Sequence, residues 1–238
     1  MNVETLINAS RPFLSWIVDW YNHLETIALD KLDRDPSKVA ILSVDVINGF
    51  CHEGPLASPR VRSIAEPIAE LLRVAWARGV RQIVLIQDAH VEDAIEFAQF
   101  PPHCIRGTRE AETADAIKRL PFFDRLTLFE KNSLSSSQDT GLGDWLDDHP
   151  EIATFIVVGD CTDLCTYQLA MHLRLRANAR QLGGVRVIVP VNCVNTYDLP
   201  VSAAAQSDAV PHDGNLLHLI FLYSMMLNGV SVVERITL

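Results

Sequence analysis

The sequence predicts an α/β protein, a three-layer α/β/α sandwich around a mostly parallel, roughly six-stranded sheet. Short runs rich in β-branched residues, at 39–46, 80–88, 126–131, 154–160, 185–191 and 230–236, are separated by helical patterns such as 64–79, 164–178 and 214–229. The runs are apolar on both faces, as in VAILSVDV and TFIVVGD, which suits strands covered by helices on either side. The 238 residues, 48% hydrophobic and 21% charged, suffice for one sizeable core, and no repeat or Gly/Ser/Pro-rich linker divides them.

In chain order, residues 1–37 read as an N-terminal amphipathic helical extension and 38–238 as the domain proper. Leu14, Ile17, Val18, Tyr21, Leu24, Ile27 and Ala28 recur at helical spacing. That stripe needs cover, from the body of the protein or from a second subunit, so a homo-oligomer is expected. The segment has no basic start followed by a clean apolar run, and Asp19, Asn22 and His23 interrupt it, so it does not read as a signal peptide. The first strand run carries Asp45 near its end; the second ends on Asp88, with His90 just beyond. A Pro-Pro turn precedes His103, and the third run ends on Lys131. The fourth enters a tight polar turn that places Cys165 where a helix begins. The apolar stretch at 216–227 is too short to span a bilayer and contains His218 and Ser224, so it reads as a buried helix.

A formal net charge of −10 and a pI near 5.2 argue against nucleic acid or an anionic membrane as partner, since both need basic patches. Five scattered cysteines form neither an even disulfide framework nor paired zinc-finger spacing, which suits a reducing cytoplasm.

Ligands of parallel sheets bind at the carboxyl ends of the strands. Asp45, Asp88, His90, Lys131 and Cys165 all fall there. Taken singly, each has an ordinary alternative, as a turn cap, a solvated lysine or a small buried hydrophobe. Jointly they read as a cysteine nucleophile served by a carboxylate and an ammonium. A helix start favours thiolate over thiol, because its backbone N–H groups are unpaired and the macrodipole is positive there. Asp88, His90 and His103 offer a carboxylate and two imidazoles on adjacent loops, a set suited to zinc, manganese or iron(II). His52, His172, His212 and His218 show no such pattern and read as structural or surface residues.

VDVINGFC (44–51), QDAH (87–90), FPPHCIRGTREAE (100–112), EKNS (130–133) and VGDCTDLC (158–165) resemble, in order, the signature blocks of the isochorismatase-like cysteine hydrolases. Within that superfamily the chain is most similar to the nicotinamidases, plant-type ones included. The resemblance implies the isochorismatase-like hydrolase fold and a catalytic triad of Asp45, Lys131 and Cys165. It implies a cis peptide between Asp160 and Cys161, and an oxyanion hole formed by the backbone N–H groups of Cys161 and Cys165. Cys161 is then positional rather than a redox partner of Cys165. The resemblance also implies a divalent metal, zinc first, on Asp88, His90 and His103, with Phe50 and Phe100 flanking a substrate ring. Some relatives carry a further histidine shortly after the D-x-H block; Ala94 stands near that place. The implied reaction is deamidation of nicotinamide to nicotinate and ammonia through a covalent thioester. Two alternatives remain open: a metal-free isochorismatase-like or N-carbamoyl-amide hydrolase on another small substrate, and a non-catalytic binding or scaffold subunit.

Overall fold

A computed structural model describes residues 2–206 and 209–237. The chain forms α1 (Val3–Asn22), β1 (Thr26–Ala28), β2 (Val39–Val44), α2 (Ala65–Ala77), β3 (Gln82–Asp88), β4 (Thr127–Lys131) and α3 (Leu142–Asp148). There follow β5 (Thr154–Gly159), α4 (Cys165–Ala179), β6 (Arg186–Pro190), α5 (Gly214–Leu227), β7 (Ser231–Val233) and β8 (Arg235–Thr237), with single helical turns between elements.

The unbroken apolar runs become the centre of a six-stranded parallel sheet in the order β4-β3-β2-β5-β6-β7. Every residue of β2 and β5 is buried. Alternate side chains serve opposite faces, as the two-residue period of a strand demands. Ile41, Ile83, Leu85, Ile156 and Ile188 pack with α2, whereas Leu42, Val84, Ile86, Val157 and Val189 pack with α3, α4 and α5.

The chain leaves β2 for β3 and β4 on one side, then returns to lay β5 on the other. The crevice at the carboxyl ends of β2 and β5 is where such a sheet holds its ligand. Gly159 permits the close approach there. Its φ is +118°, and a Cβ at this position would lie 1.9 Å from the Val44 carbonyl oxygen, so no larger residue fits.

Two expectations at the ends of the chain are corrected. The run at 230–236 is two strands: β7 joins the main sheet, while β8 pairs in parallel with β1. Between them the Glu234 N–H donates to Glu25 O (2.9 Å), and Thr26 Oγ1 donates to the Glu234 carboxylate (2.7 Å). The N-terminal helix stops at Asn22, so Leu24, Ile27 and Ala28 lie beyond it. Ile27 and Ala28 gain ladder partners in β8 that a longer helix would forfeit. Within α1, Ile17 is fully buried, and the Phe13 and Trp16 rings pack on Tyr223 of α5 at 5.1 and 6.0 Å. Among the described residues no helix is long and apolar enough to cross a membrane, and all five cysteines are free and buried.

His218 on α5 is not a surface residue. It is 8% exposed, its Nδ1 lies 2.8 Å from Thr162 Oγ1, and Tyr21 of α1 meets its ring edge-on. Burial, reinforced by Arg60, lowers its pKa from 6.5 to about 4. The folded protein therefore binds fewer protons than the unfolded chain between these values, and stability falls as pH drops from 6.5 towards 4. The whole contribution is about 3 kcal/mol. His218→Gln should flatten the stability curve by that amount, read from urea unfolding at pH 7, 5.5 and 4; parallel curves for the two proteins would contradict the assignment.

Candidate active site and adjoining metal-ligand cluster

The strand register assembles the site. Asp88 and Lys131 are paired residues at the ends of β3 and β4. Asp45 follows β2 with φ of 56°, a left-handed conformation that Asp tolerates better than most residues, and its N–H donates to Ile86 O (3.0 Å). Cys165 is the first residue of α4.

All four side chains are buried around one ammonium. Lys131 Nζ donates to Asp88 Oδ1 (2.5 Å) and Ser133 O (3.2 Å), and lies 3.5 Å from Cys165 Sγ. Asp45 Oδ2 is 2.9 Å away but off the hydrogen-bond direction, so that contact is ionic. The other Asp45 oxygen accepts the Asp88 N–H at 2.8 Å. Asp45, Asp88 and Cys165 also crowd together like metal ligands, but the ammonium already sits among them.

Charge follows from this packing. Burial, with the neighbouring Asp88 carboxylate, raises the Asp45 carboxyl to about 6 against the pull of Lys131. Burial opposes the charge on Asp88 as well, but the attraction of Lys131 leads the opposing effects that hold that carboxyl low. For Lys131, burial is overcome by the two carboxylates, which keep it firmly protonated. Burial pushes the Cys165 thiol well up; Lys131 opposes this and the carboxylates add to it. The pull of the helix start and of Lys131 towards thiolate is thereby outweighed. One ammonium shared by two carboxylates, even with a helix terminus, does not support a third anion.

The bond between Asp160 and Cys161 is cis. Among the described residues, the backbone N–H groups of Cys161 and Cys165 have no hydrogen-bond acceptor. Two unpaired donors beside a buried thiol are suited to a developing oxyanion.

A second cluster adjoins the first. One ligand atom from each of Asp88, His90 and His103 lies within 4.8 Å of the others. His90 Nδ1 faces Asn132 Oδ1 (3.3 Å) and His103 Nδ1 faces Pro101 O (2.8 Å), so in both rings the Nδ1 hydrogen is taken. The Nε2 lone pairs are left to face Asp88, at 3.5 and 3.9 Å. His90 Nε2 is buried without a hydrogen-bond partner. This is the second-sphere arrangement that orients imidazoles for a cation, and the donor set fits a borderline divalent ion.

Sequence reasoning missed Glu96. Its Oε1 is buried without a partner 4.0 Å from His90 Nε2, while Oε2 accepts the Leu134 N–H (3.0 Å). The acidic donor thus stands two residues beyond Ala94. Phe50 and Phe100 both line the pocket with Cys165, their rings 5.6 and 6.2 Å from that of His103. Leu164, Tyr197 and Asp160 complete much of the lining, and burial, with the Asp45 charge, keeps the Asp160 carboxyl well above its usual range. Nothing in the sequence marked Asp160 beyond its peptide bond. His212, read as structural or surface, supports the same turn: Nε2 lies 2.7 Å from Asp163 Oδ2.

The Isochorismatase domain model matches residues 39–213. The chain belongs to that family. It is 33% identical over 221 residues to Nicotinamidase 1 of Arabidopsis thaliana, covering 87% of this chain and 89% of that one. The fold is shared with a pyrazinamidase of Pyrococcus horikoshii solved in complex with zinc, at a TM-score of 0.63 and 21% identity, covering 83% of this chain and 99% of that one. It is shared equally with N-carbamoylsarcosine amidase of Thermoplasma acidophilum, at a TM-score of 0.63 and 23% identity, covering 83% and 96%. With this kinship the chain is a hydrolase of carbon–nitrogen amide bonds.

Proposed function

We propose that this family member is a nicotinamidase, converting nicotinamide and water to nicotinate and ammonia. The observation that carries the reading is the closeness of Asp88, His90 and His103, with His90 Nε2 buried and unpartnered, to the buried Cys165 thiol, Asp45 carboxyl and Lys131 ammonium, at a pocket walled by Phe50 and Phe100. A divalent ion on Asp88, His90 and His103, with Glu96 as a further donor, would supply a Lewis-acid anchor for a pyridine nitrogen, zinc first and manganese or iron(II) after it.

In this reading Asp45 takes the Cys165 proton as Sγ attacks the amide carbon. The new oxyanion is held by the N–H groups of Cys161 and Cys165. The carbon–nitrogen bond then breaks, and Asp45 returns the proton to departing ammonia, leaving an acyl-thioester on Cys165. Water attacks the thioester with Asp45 as base; Sγ leaves and recovers its proton. A carboxyl near 6 suits both roles at neutral pH. Lys131 holds Asp45 in place and balances the charge. Phe50 and Phe100 stack against the flat ring.

The exposed apolar face of α1, with Val3, Leu6, Ile7 and Trp16 about half or more exposed, is read as the contact with a second copy of the chain. The free cysteines accord with a reducing cytoplasm.

The nucleophile, the metal and the assembly are each open to test. Cys165→Ala should fold and lose activity by about 10⁴-fold or more, while Cys161→Ala stays within about tenfold, since only one sulfur is the nucleophile. An electrophilic nicotinaldehyde-type inhibitor should label Cys165 by mass spectrometry, and a label on Cys161 or Cys104 would overturn the assignment. His103→Ala should lose bound metal, measured by elemental analysis of protein purified without chelators, together with about 100-fold in nicotinamide turnover. Benzamide, which lacks the ring nitrogen, should be a poor substrate for the intact enzyme. A protein that holds no metal and leaves nicotinamide untouched with added zinc, manganese or iron would return the reading to the metal-free hydrolase. In light scattering the full chain should weigh a multiple of 26.5 kDa and the Leu6→Glu, Ile7→Glu double variant 26.5 kDa; equal masses would refute the α1 contact.

A further inference from the structure

A second cavity lies behind the turn that bears Cys161, between α1, α5 and the segment after β6. Val18 and Leu219 are among its apolar lining and Tyr21, Arg60, Asn215 and His218 among its polar lining, with no carboxylate among the lining residues. A guanidinium carries five N–H donors. Arg60 commits two, Nε to Thr196 O (2.9 Å) and Nη1 to Asn215 Oδ1 (2.8 Å), which leaves three. Among the described residues none of those three has an acceptor, and Arg60 forms no ion pair.

The neighbours point the same way. Asn215 gives its oxygen to Arg60, so its unpaired side-chain NH₂ is a donor. His218, 8% exposed, spends Nδ1 on Thr162 and leaves Nε2 at the cavity without a protein partner. The Tyr21 hydroxyl has no protein hydrogen bond. A cation partly withdrawn from water, flanked by the unpaired Asn215 NH₂ and Tyr21 hydroxyl and anchored by neutral groups alone, calls for an anion. The planar fork suits a carboxylate, and the apolar wall suits a short hydrocarbon body.

We propose that this cavity binds a small organic carboxylate, its oxygens on Arg60 and Asn215 and its body against Val18 and Leu219. The assignment stands apart from the catalytic pocket and does not rest on the substrate reading. Its wall is bonded to the catalytic turn, because the Thr162 N–H donates to Asn195 O (2.9 Å) and Asn195 Nδ2 donates to Arg60 O (3.2 Å).

Calorimetric titration tests this, with 4-methylpentanoate as probe and 4-methylpentanamide as its neutral isostere. The intact chain should bind the carboxylate at least about tenfold more tightly than the amide, the margin that charge-assisted hydrogen bonds supply. Arg60→Met should abolish that preference. Val18→Trp, which fills the cavity from the half-exposed face of α1, should abolish binding and decides the matter alone if Arg60→Met does not fold. Equal binding of the two probes, absence of binding, or binding that survives both variants as a carboxylate in the catalytic pocket would, each overturns the proposal. Tighter binding of inorganic phosphate than of the carboxylate overturns the ligand class.

Discussion

A single buried ammonium sets the terms for the rest of the site. Lys131 lies among two carboxylates and a thiol, none of which reaches bulk water. With both carboxylates ionised the cluster carries one net negative charge, and a thiolate formed without a proton acceptor would make it two. Moving the Cys165 proton onto Asp45 relocates charge without adding any. The raised thiol and the raised Asp45 carboxyl are thus two faces of one constraint. Stripping such a cluster of its cation leaves uncompensated buried charge, which costs about 3–5 kcal/mol.

That arrangement depends on register as much as on residue type. Side chains on a strand change face with every step, so a slip of one residue in β3 or β4 would turn Asp88 or Lys131 to the opposite layer. Gly159 contributes by having no side chain, since β5 must reach the Val44 carbonyl for its following turn to bring Cys165 to Asp45. The rigid sheet holds what flexible loops would place less well.

How much of this could be read beforehand follows from the kind of signal each part leaves. The central strands were legible because burial on both faces makes them apolar throughout, and the catalytic and imidazole residues because such side chains seldom gather at strand ends. The split at Glu234 and the early end of α1 were not, since β1 and β8 find each other only across the length of the chain. Glu96 sits in an acidic stretch that looks like a solvated face. Arg60 and His218 gave no sign that α1 would cover them. The balance of charge at Cys165 was only half legible, because the sequence shows the lysine but not that two carboxylates share it.

The pairing of Thr26–Ala28 with Arg235–Thr237 has a further consequence, in time rather than in space. A contact between segments so far apart closes a very long loop, and such contacts form late. During synthesis β1 waits for a partner that emerges far behind it. α1, directly before it, waits as well, since Tyr223 and the rest of α5 follow it by about 200 residues. For that interval its aromatic face is open to any other apolar surface, and there the nascent protein has most need of protection.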